Sequence, residues 1–233
     1  FVPGLLKLFD EIIVNSRDHS INDKTCDTIK VTVNTVENFI TIYNNGNNGI
    51  PVVEHPKFKI MVPSLIFGQL LTSSNYDDDK KRTTGGRNGY GAKLVSVFST
   101  KFVVRVGDPN NNKLFEQTWT DNMSVIGKET VKKYNKKNGF TEVTFYPDLA
   151  RFGIKGLGDH ANLFAKRCVD ICGSTKQLSI YFNNKKIQVD SFKKYVSSFY
   201  PKKEFIIDDK NARWNIGVGF LPEKGDKYIS NVN

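Results

Sequence analysis

Three cysteines in 233 residues are too few, and odd in number, for a disulfide framework, which points to a reducing compartment. Cys168 and Cys172 stand one helical turn apart, but no His or Cys pair joins them at zinc-binding spacing, so they read as buried thiols. Long apolar runs are missing too: none approaches the roughly 20 residues that a membrane-spanning helix needs. The first residues do not read as a basic segment leading into an apolar one, and the expectation is a soluble, intracellular protein. Acid is the third deficit. With 24 Asp+Glu against 34 Lys+Arg the formal charge is +10, which favours polyanionic partners such as nucleotides or nucleic acid. Basic runs such as residues 128–137 and Lys202–Lys203 read first as solvated surface.

Apolar residues are plentiful otherwise. A hydrophobic fraction of 39% and an aromatic fraction of 12%, with 17 Phe, exclude a disordered chain. The length suits one sizeable domain, or one domain and part of a second.

Apolar residues at 5, 8, 9 and 12 predict an amphipathic helix over residues 4–18, with Pro3 tolerable at its start. Alternation predicts strands over 28–35 and 38–44, followed by a Gly/Asn-rich loop. A helix follows Pro63, and residues 73–91 are too long and polar for a plain connector. Residues 92–99 read as a helix. Strands over 101–108, 113–119 and 140–147, a helix over about 159–172 and a strand over 177–183 complete a sheet with helices on one face, an α+β sandwich. From about 190 the pattern restarts with a helix and a strand over 213–221, the start of a second domain.

The loop "TTGGRNGYGAKL" (83–94) fails two tests for known phosphate cradles. No strand precedes it, and its glycines run in the wrong order for a dinucleotide fingerprint. Gly86 and Gly91 have the separation of a Walker loop, but Lys93 comes one residue late and Leu94 has no hydroxyl for a metal. The loop does offer backbone N–H groups that an anion can approach closely, beside a helix start near Ala92. A glycine-rich surface turn reads equally well from these residues alone.

On the first helix, Lys7, Glu11, Asn15 and Asp18 fall in one narrow band, turned away from Leu5, Leu8, Phe9 and Ile12. The bland reading is a solvated face, with Lys7 and Glu11 as an ordinary i,i+4 pair. The sharper one is a cleft wall: an Asn carbonyl and phosphate oxygens suit magnesium, and a Glu one turn away can deprotonate a water.

Four segments in order, "DEIIVN", "IYNNGNNGIPV", "LLTSSNYDDD" and "TGGRNGYGAK", together resemble the Bergerat, or GHKL, ATPases. The last two are similar to the ATPase region of eukaryotic-type DNA topoisomerase II. The likeness extends over essentially the whole chain, including "QTW" at 117–119. It implies a two-layer α/β sandwich with helices on one face of a mixed sheet over 1–188, then the start of a truncated transducer domain over 189–233. It implies that Glu11 is the general base, with Lys7 beside it as the basic residue one turn before, and that Asn15 is the magnesium ligand. Asn44 would read adenine, Ser73, Ser74 and Asn75 would contact ribose and phosphates, and Gly86, Arg87, Asn88, Gly89, Tyr90, Gly91, Ala92 and Lys93 would wrap the triphosphate.

The implied function is an ATP-binding, ATP-hydrolysing N-terminal gate of a type IIA DNA topoisomerase, which couples ATP to passage of one DNA duplex through another. ATP and Mg2+ are the implied ligands. The implied partners are DNA, reached through the full-length enzyme, and a second copy engaged through an N-terminal arm; no membrane is involved, and the location is the nucleus. The likeness implies a fragment that starts after that arm and stops before the family's transducer lysine, so the expectation is ATP binding with weak hydrolysis and poor dimerisation. DNA cleavage would need a tyrosine in a domain beyond these residues. Two departures stand out: Asn47 and Asn48 both separate Gly46 from Gly49 where the family has one residue, and His19 falls near a usual Asn. Alternative readings are a non-catalytic nucleotide-dependent clamp of another GHKL family and direct DNA binding through lysines at 132–137 and 202–203.

Overall fold

A computed structural model of the chain describes residues 1–69, 90–200, 205–208, 210, 214–221 and 225–232. Helix α1 (Pro3–Asn22) starts on proline, whose missing N–H has no partner in a first helical turn anyway. It runs on to Asn22, beyond the expected end at 18. Strands β1 (Thr28–Asn34) and β2 (Phe39–Asn45) form a hairpin. Asn34 closes its turn by accepting from the N–H groups of Val36 and Glu37, an Asx turn that competes successfully with further strand.

Two short helices follow, α2 (Val62–Gly68) and α3 (Gly91–Val97). The expected meander then appears as β3 (Ser99–Asp108), β4 (Lys113–Thr120) and β7 (Phe140–Pro147). Two strands the sequence did not announce, β5 (Val125–Ile126) and β6 (Thr130–Lys133), pair with β4. The basic run at 128–137 is therefore partly a sheet edge, with every residue of β6 exposed as the charge pattern suggested. Charged residues on an edge strand also discourage pairing with other chains.

Helix α4 (Ala161–Ser174) leads to β8 (Ser179–Phe182) and β9 (Lys185–Lys186). The nine-stranded sheet has the path β5-β4-β3-β7-β2-β1-β8-β9, with β6 beside β4. Among the described residues only β1 and β8 pair in parallel, so the sheet is mixed. α1 and α4 lie on one face, where Leu5, Leu8, Phe9, Ile12 and Ile13 share a core with Ile29, Val31, Ile42, Val104 and Phe145. Phe9 and Phe164 join the two helices with ring centroids 4.7 Å apart. The other face is open: Lys30 stands over the Tyr43 ring and Lys101 over Tyr146, at 5.6 and 5.5 Å from the centroids. The architecture is the expected α+β sandwich with helices on one face of a mixed sheet.

Helix α5 (Phe192–Ser197) and a three-stranded sheet of β10 (Phe205–Asp208), β11 (Trp214–Leu221) and β12 (Gly225–Val232) follow. Phe192, Val196 and Tyr200 make a separate small core. Glycine at 217 and 219 lets β11 pass close to it: an added Cβ would sit 2.8 Å from Val196 and 2.5 Å from Tyr200. α5 also docks on α4, where the Tyr195 hydroxyl donates to Asp170 Oδ1 at 2.8 Å. Phe164 is fully buried and fixes α4 on α1. Phe164→Ala is expected to cost about 3–5 kcal/mol, read as a lowered urea midpoint at unchanged slope. A cost below about 1 kcal/mol would show that this contact does not anchor the helices.

Candidate functional site

α1 presents one polar line along its length. Lys7, Glu11, Asn15 and His19 recur every four residues, so they share a face that drifts only slowly around the axis. Asp18, expected in this seam, is instead buried and faces the Arg17 guanidinium at 3.4 Å. Helical spacing keeps Asp18 between Lys7 and Glu11 in direction, so its burial comes from the groups that cover it, the Arg17 side chain among them, and not from a swing toward the core.

At the N-terminal half of the line, Lys7 Nζ lies 2.5 Å from Glu11 Oε1. Lys7 is largely exposed, while the Glu11 side chain is only 23% exposed. The other Glu11 oxygen presses against the first residue of α3: a Cβ added at Gly91 would fall on the Glu11 carboxylate. Gly91 does not have a positive φ, so glycine is required there for space and not for backbone conformation. Asn15, one turn on, is exposed, and among the described residues its amide has no hydrogen-bond partner.

Tyr90 caps α3 and is 38% exposed, Ala92 is buried, and Lys93 is 1% exposed. Burial lowers the Lys93 ammonium to a pKa of about 8, because a buried charge loses its hydration. Ser73, Ser74, Asn75, Gly86, Arg87, Asn88 and Gly89 lie outside the described residues, as do Lys202 and Lys203.

At the other half, α1 meets the end of β2. Asn44 is buried, and its Nδ2 is 2.8 Å from His19 Nδ1 and 3.0 Å from the Asn45 carbonyl oxygen. The Asn45 carbonyl can only accept, so Nδ2 faces it and donates to both partners. His19 is then neutral with its proton on Nε2, which points at Asp23 Oδ2 from 3.4 Å, long for a hydrogen bond but favourable electrostatically. Asp23 accepts from the Thr25 N–H and hydroxyl and from the Asn48 N–H and amide.

The two asparagines between Gly46 and Gly49 are thus built into the frame. Asn47 donates its N–H to Thr25 Oγ1, its carbonyl accepts from Asn110, and its side-chain oxygen accepts from the Gly139 N–H. Sequence reasoning missed Asp23 and the partnership of His19 with Asn44. One signal was present: His19 continues the four-residue spacing of Lys7, Glu11 and Asn15.

Burial lowers the His19 pKa from its ordinary 6.5 despite the opposing field of Asp23. For Asp23, burial alone would raise the pKa, but hydrogen bonds from Asn48 and Thr25 outweigh it and hold the carboxyl well below its ordinary range. Both groups bind fewer protons folded than unfolded, so their contribution to stability is present above the unfolded values, about 6.5 and 3.9, and is lost as pH falls through the folded ones. Unfolding free energy is expected to fall from pH 7 to pH 4, with a shallower fall between pH 6.5 and 5 in His19→Gln. Parallel profiles for the two proteins would show that His19 is not neutral when folded.

Among the described residues no group of three or more His, Cys, Asp and Glu side chains could hold a metal, and no helix is long and apolar enough to cross a membrane. Residues 2–151 match the family model described as histidine kinase-, DNA gyrase B-, and HSP90-like ATPase. Over 242 residues, spanning all of this chain, the sequence is 48% identical to DNA topoisomerase 2-alpha of Gallus gallus, and it covers only 15% of that relative's length. In structure it is similar to the ATPase region of Saccharomyces cerevisiae topoisomerase II, with a TM-score of 0.91 and 41% identity over 95% of this chain and 59% of that one. The 43K ATPase domain of Thermus thermophilus gyrase B shares the fold, with a TM-score of 0.69 at 20% identity over 94% of this chain and 57% of that one. The chain therefore belongs to the histidine kinase-, DNA gyrase B- and HSP90-like ATPase family.

Proposed function

We propose that this chain is the ATP-binding and ATP-hydrolysing gate of a type IIA DNA topoisomerase, in which nucleotide binding closes two copies on each other while one DNA duplex passes through another. The observation that carries the reading is the Glu11 carboxylate, held at 2.5 Å by Lys7 and seated against Gly91, with the open Asn15 amide one turn on. Residues 1–188 are the ATPase domain and 189–233 the beginning of the transducer in this reading. DNA and the second copy are engaged through the whole enzyme, which works in the nucleus.

Glu11 accepts a proton from water as the water oxygen bonds to the γ-phosphorus and ADP departs. Lys7 holds the carboxylate in place. From Glu11 to His19 the helix rises about 12 Å, so a nucleotide lying along α1 can set its phosphates at the Glu11 end and its base at Asn44. Lys93 and the backbone from Tyr90 to Ala92 stand at the phosphate end, as do Ser73, Ser74, Asn75 and residues 86–89 in the family pattern. The residues present fit magnesium, a hard cation that takes oxygen ligands and keeps several waters: the free Asn15 amide supplies one such oxygen. Bound there, the ion would neutralise phosphate charge.

Glu11→Gln in the full-length enzyme is expected to lower ATP turnover by about 10²- to 10⁴-fold while leaving nucleotide binding nearly unchanged. Undiminished turnover would leave a nucleotide-dependent clamp as the better account. Gly91→Ala should displace the same carboxylate and slow phosphate release by roughly 10²-fold, with little added loss when combined with Glu11→Gln. Fully additive losses would mean that Gly91 acts on something other than Glu11.

A further inference from the structure

His19 and Asn48 meet at Asp23, and His19 reaches from there to Asn44. The Asn44 amide has two hydrogens, and both are taken: one by His19 Nδ1 at 2.8 Å, the other by the Asn45 carbonyl at 3.0 Å, with the Cys26 sulfur a further, longer contact at 3.8 Å. Only the carbonyl oxygen remains to face a ligand. His19 cannot turn away from this duty. Added Cβ atoms at Gly46 and Gly49 would lie 2.6 and 3.2 Å from its Cε1, so the loop backbone walls the ring on that side. Its Nε2 faces Asp23, and Asp23 is held by both the N–H and the side-chain amide of Asn48.

We propose that His19 is a positioning residue that sets the base selectivity of the nucleotide site, by leaving Asn44 only an acceptor to present. A purine with an exocyclic amine at position 6 matches that acceptor; one with a carbonyl there sets oxygen against oxygen. The site therefore takes adenine and rejects guanine. The inference rests on the reading that Asn44 faces the base. Without an acceptor at position 19 one amide hydrogen is unpaired, and the carboxamide can turn to offer N–H where guanine carries its oxygen.

The test measures the affinities of non-hydrolysable ATP and GTP analogues for the full-length enzyme, its His19→Leu variant and its His19→Gln variant. The unaltered protein should prefer the ATP analogue. His19→Leu should lower that preference about tenfold, and His19→Gln, whose side-chain oxygen can still accept, should keep it within about threefold. An unchanged preference in His19→Leu overturns the inference.

A second measurement needs no destabilised variant. A protonated His19 cannot accept from Asn44, and burial lowers its pKa from the ordinary 6.5, so the preference of the unaltered enzyme should hold level from pH 8 to 6.5 and fall only at more acidic pH, while staying level throughout in His19→Gln. The groups facing His19 are the Asp23 carboxylate and the Asn48 N–H, with Cys26 and Asp27 leading into β1 beside Asp23; of these, the buried Cys26 thiol is raised to about 12 and Asp27 is lowered by its bonds to Asn45 and Thr28, so neither titrates near neutrality. A fall of the same size in His19→Gln also overturns the inference. Failure of the unaltered enzyme to bind the ATP analogue at any pH would instead overturn the nucleotide-site reading, and this inference with it.

Discussion

The rotation of α1 about its own axis decides where every residue of the site points. Leu5, Leu8, Phe9, Ile12 and Ile13 are all buried against the sheet and α4, and a turn of the helix by one residue, about 100°, would expose part of that set. The cost of exposing side chains of this size is about 1.5–3 kcal/mol each, so the core holds the setting firmly. With the apolar side fixed, Lys7, Glu11, Asn15 and His19 have one direction left to face. The site is polar chemistry aimed by an apolar lock.

Two glycines show how differently the same residue can serve such a site. Gly46 has φ +140, a conformation that residues with side chains rarely adopt, and it also lies against His19. Gly91 has no such backbone demand and is glycine because Glu11 occupies the space a Cβ would take. A sequence reader sees only a glycine-rich loop in both places. The structure separates a turn that shapes the surroundings of His19 from a close approach that seats the Glu11 carboxylate.

The fold was legible wherever one side of an element was apolar. α1, β1, β2, β3, β4 and β7 announced themselves by periodicity because each buries one face. β5 and β6 did not: every residue in both is exposed, and backbone pairing with β4 makes them strands without leaving an apolar pattern. In the site, the pairing of Lys7 with Glu11 followed from helical spacing, and the roles expected of Glu11, Asn15 and Asn44 came from the family resemblance. The place of Asp23 could not be read, because its partner Asn48 is brought to it by the loop following β2 and not by any local repeat. Asp18 has the helical direction expected of it, but its burial beside Arg17 leaves no trace in the periodicity.

Charge along α1 gives the line a direction as well as a face. Lys7 stands near the N-terminus, where the helix dipole is also positive, while the ionised Asp23 lies just past the C-terminal end, about 24 Å further on. Glu11 would interrupt this gradient, but Lys7 offsets it at 2.5 Å. A polyanionic tail is favoured toward the Lys7 end and disfavoured near Asp23, whereas a neutral heterocycle is indifferent to the field and can be read by hydrogen bonds alone. That division matches the groups present: cationic and backbone donors at one end, and at the other a neutral carboxamide whose hydrogens are already committed. The buried acid is tolerable at this end of α1 because its bonds to Thr25 and Asn48 satisfy it internally, leaving its field to orient the neutral His19.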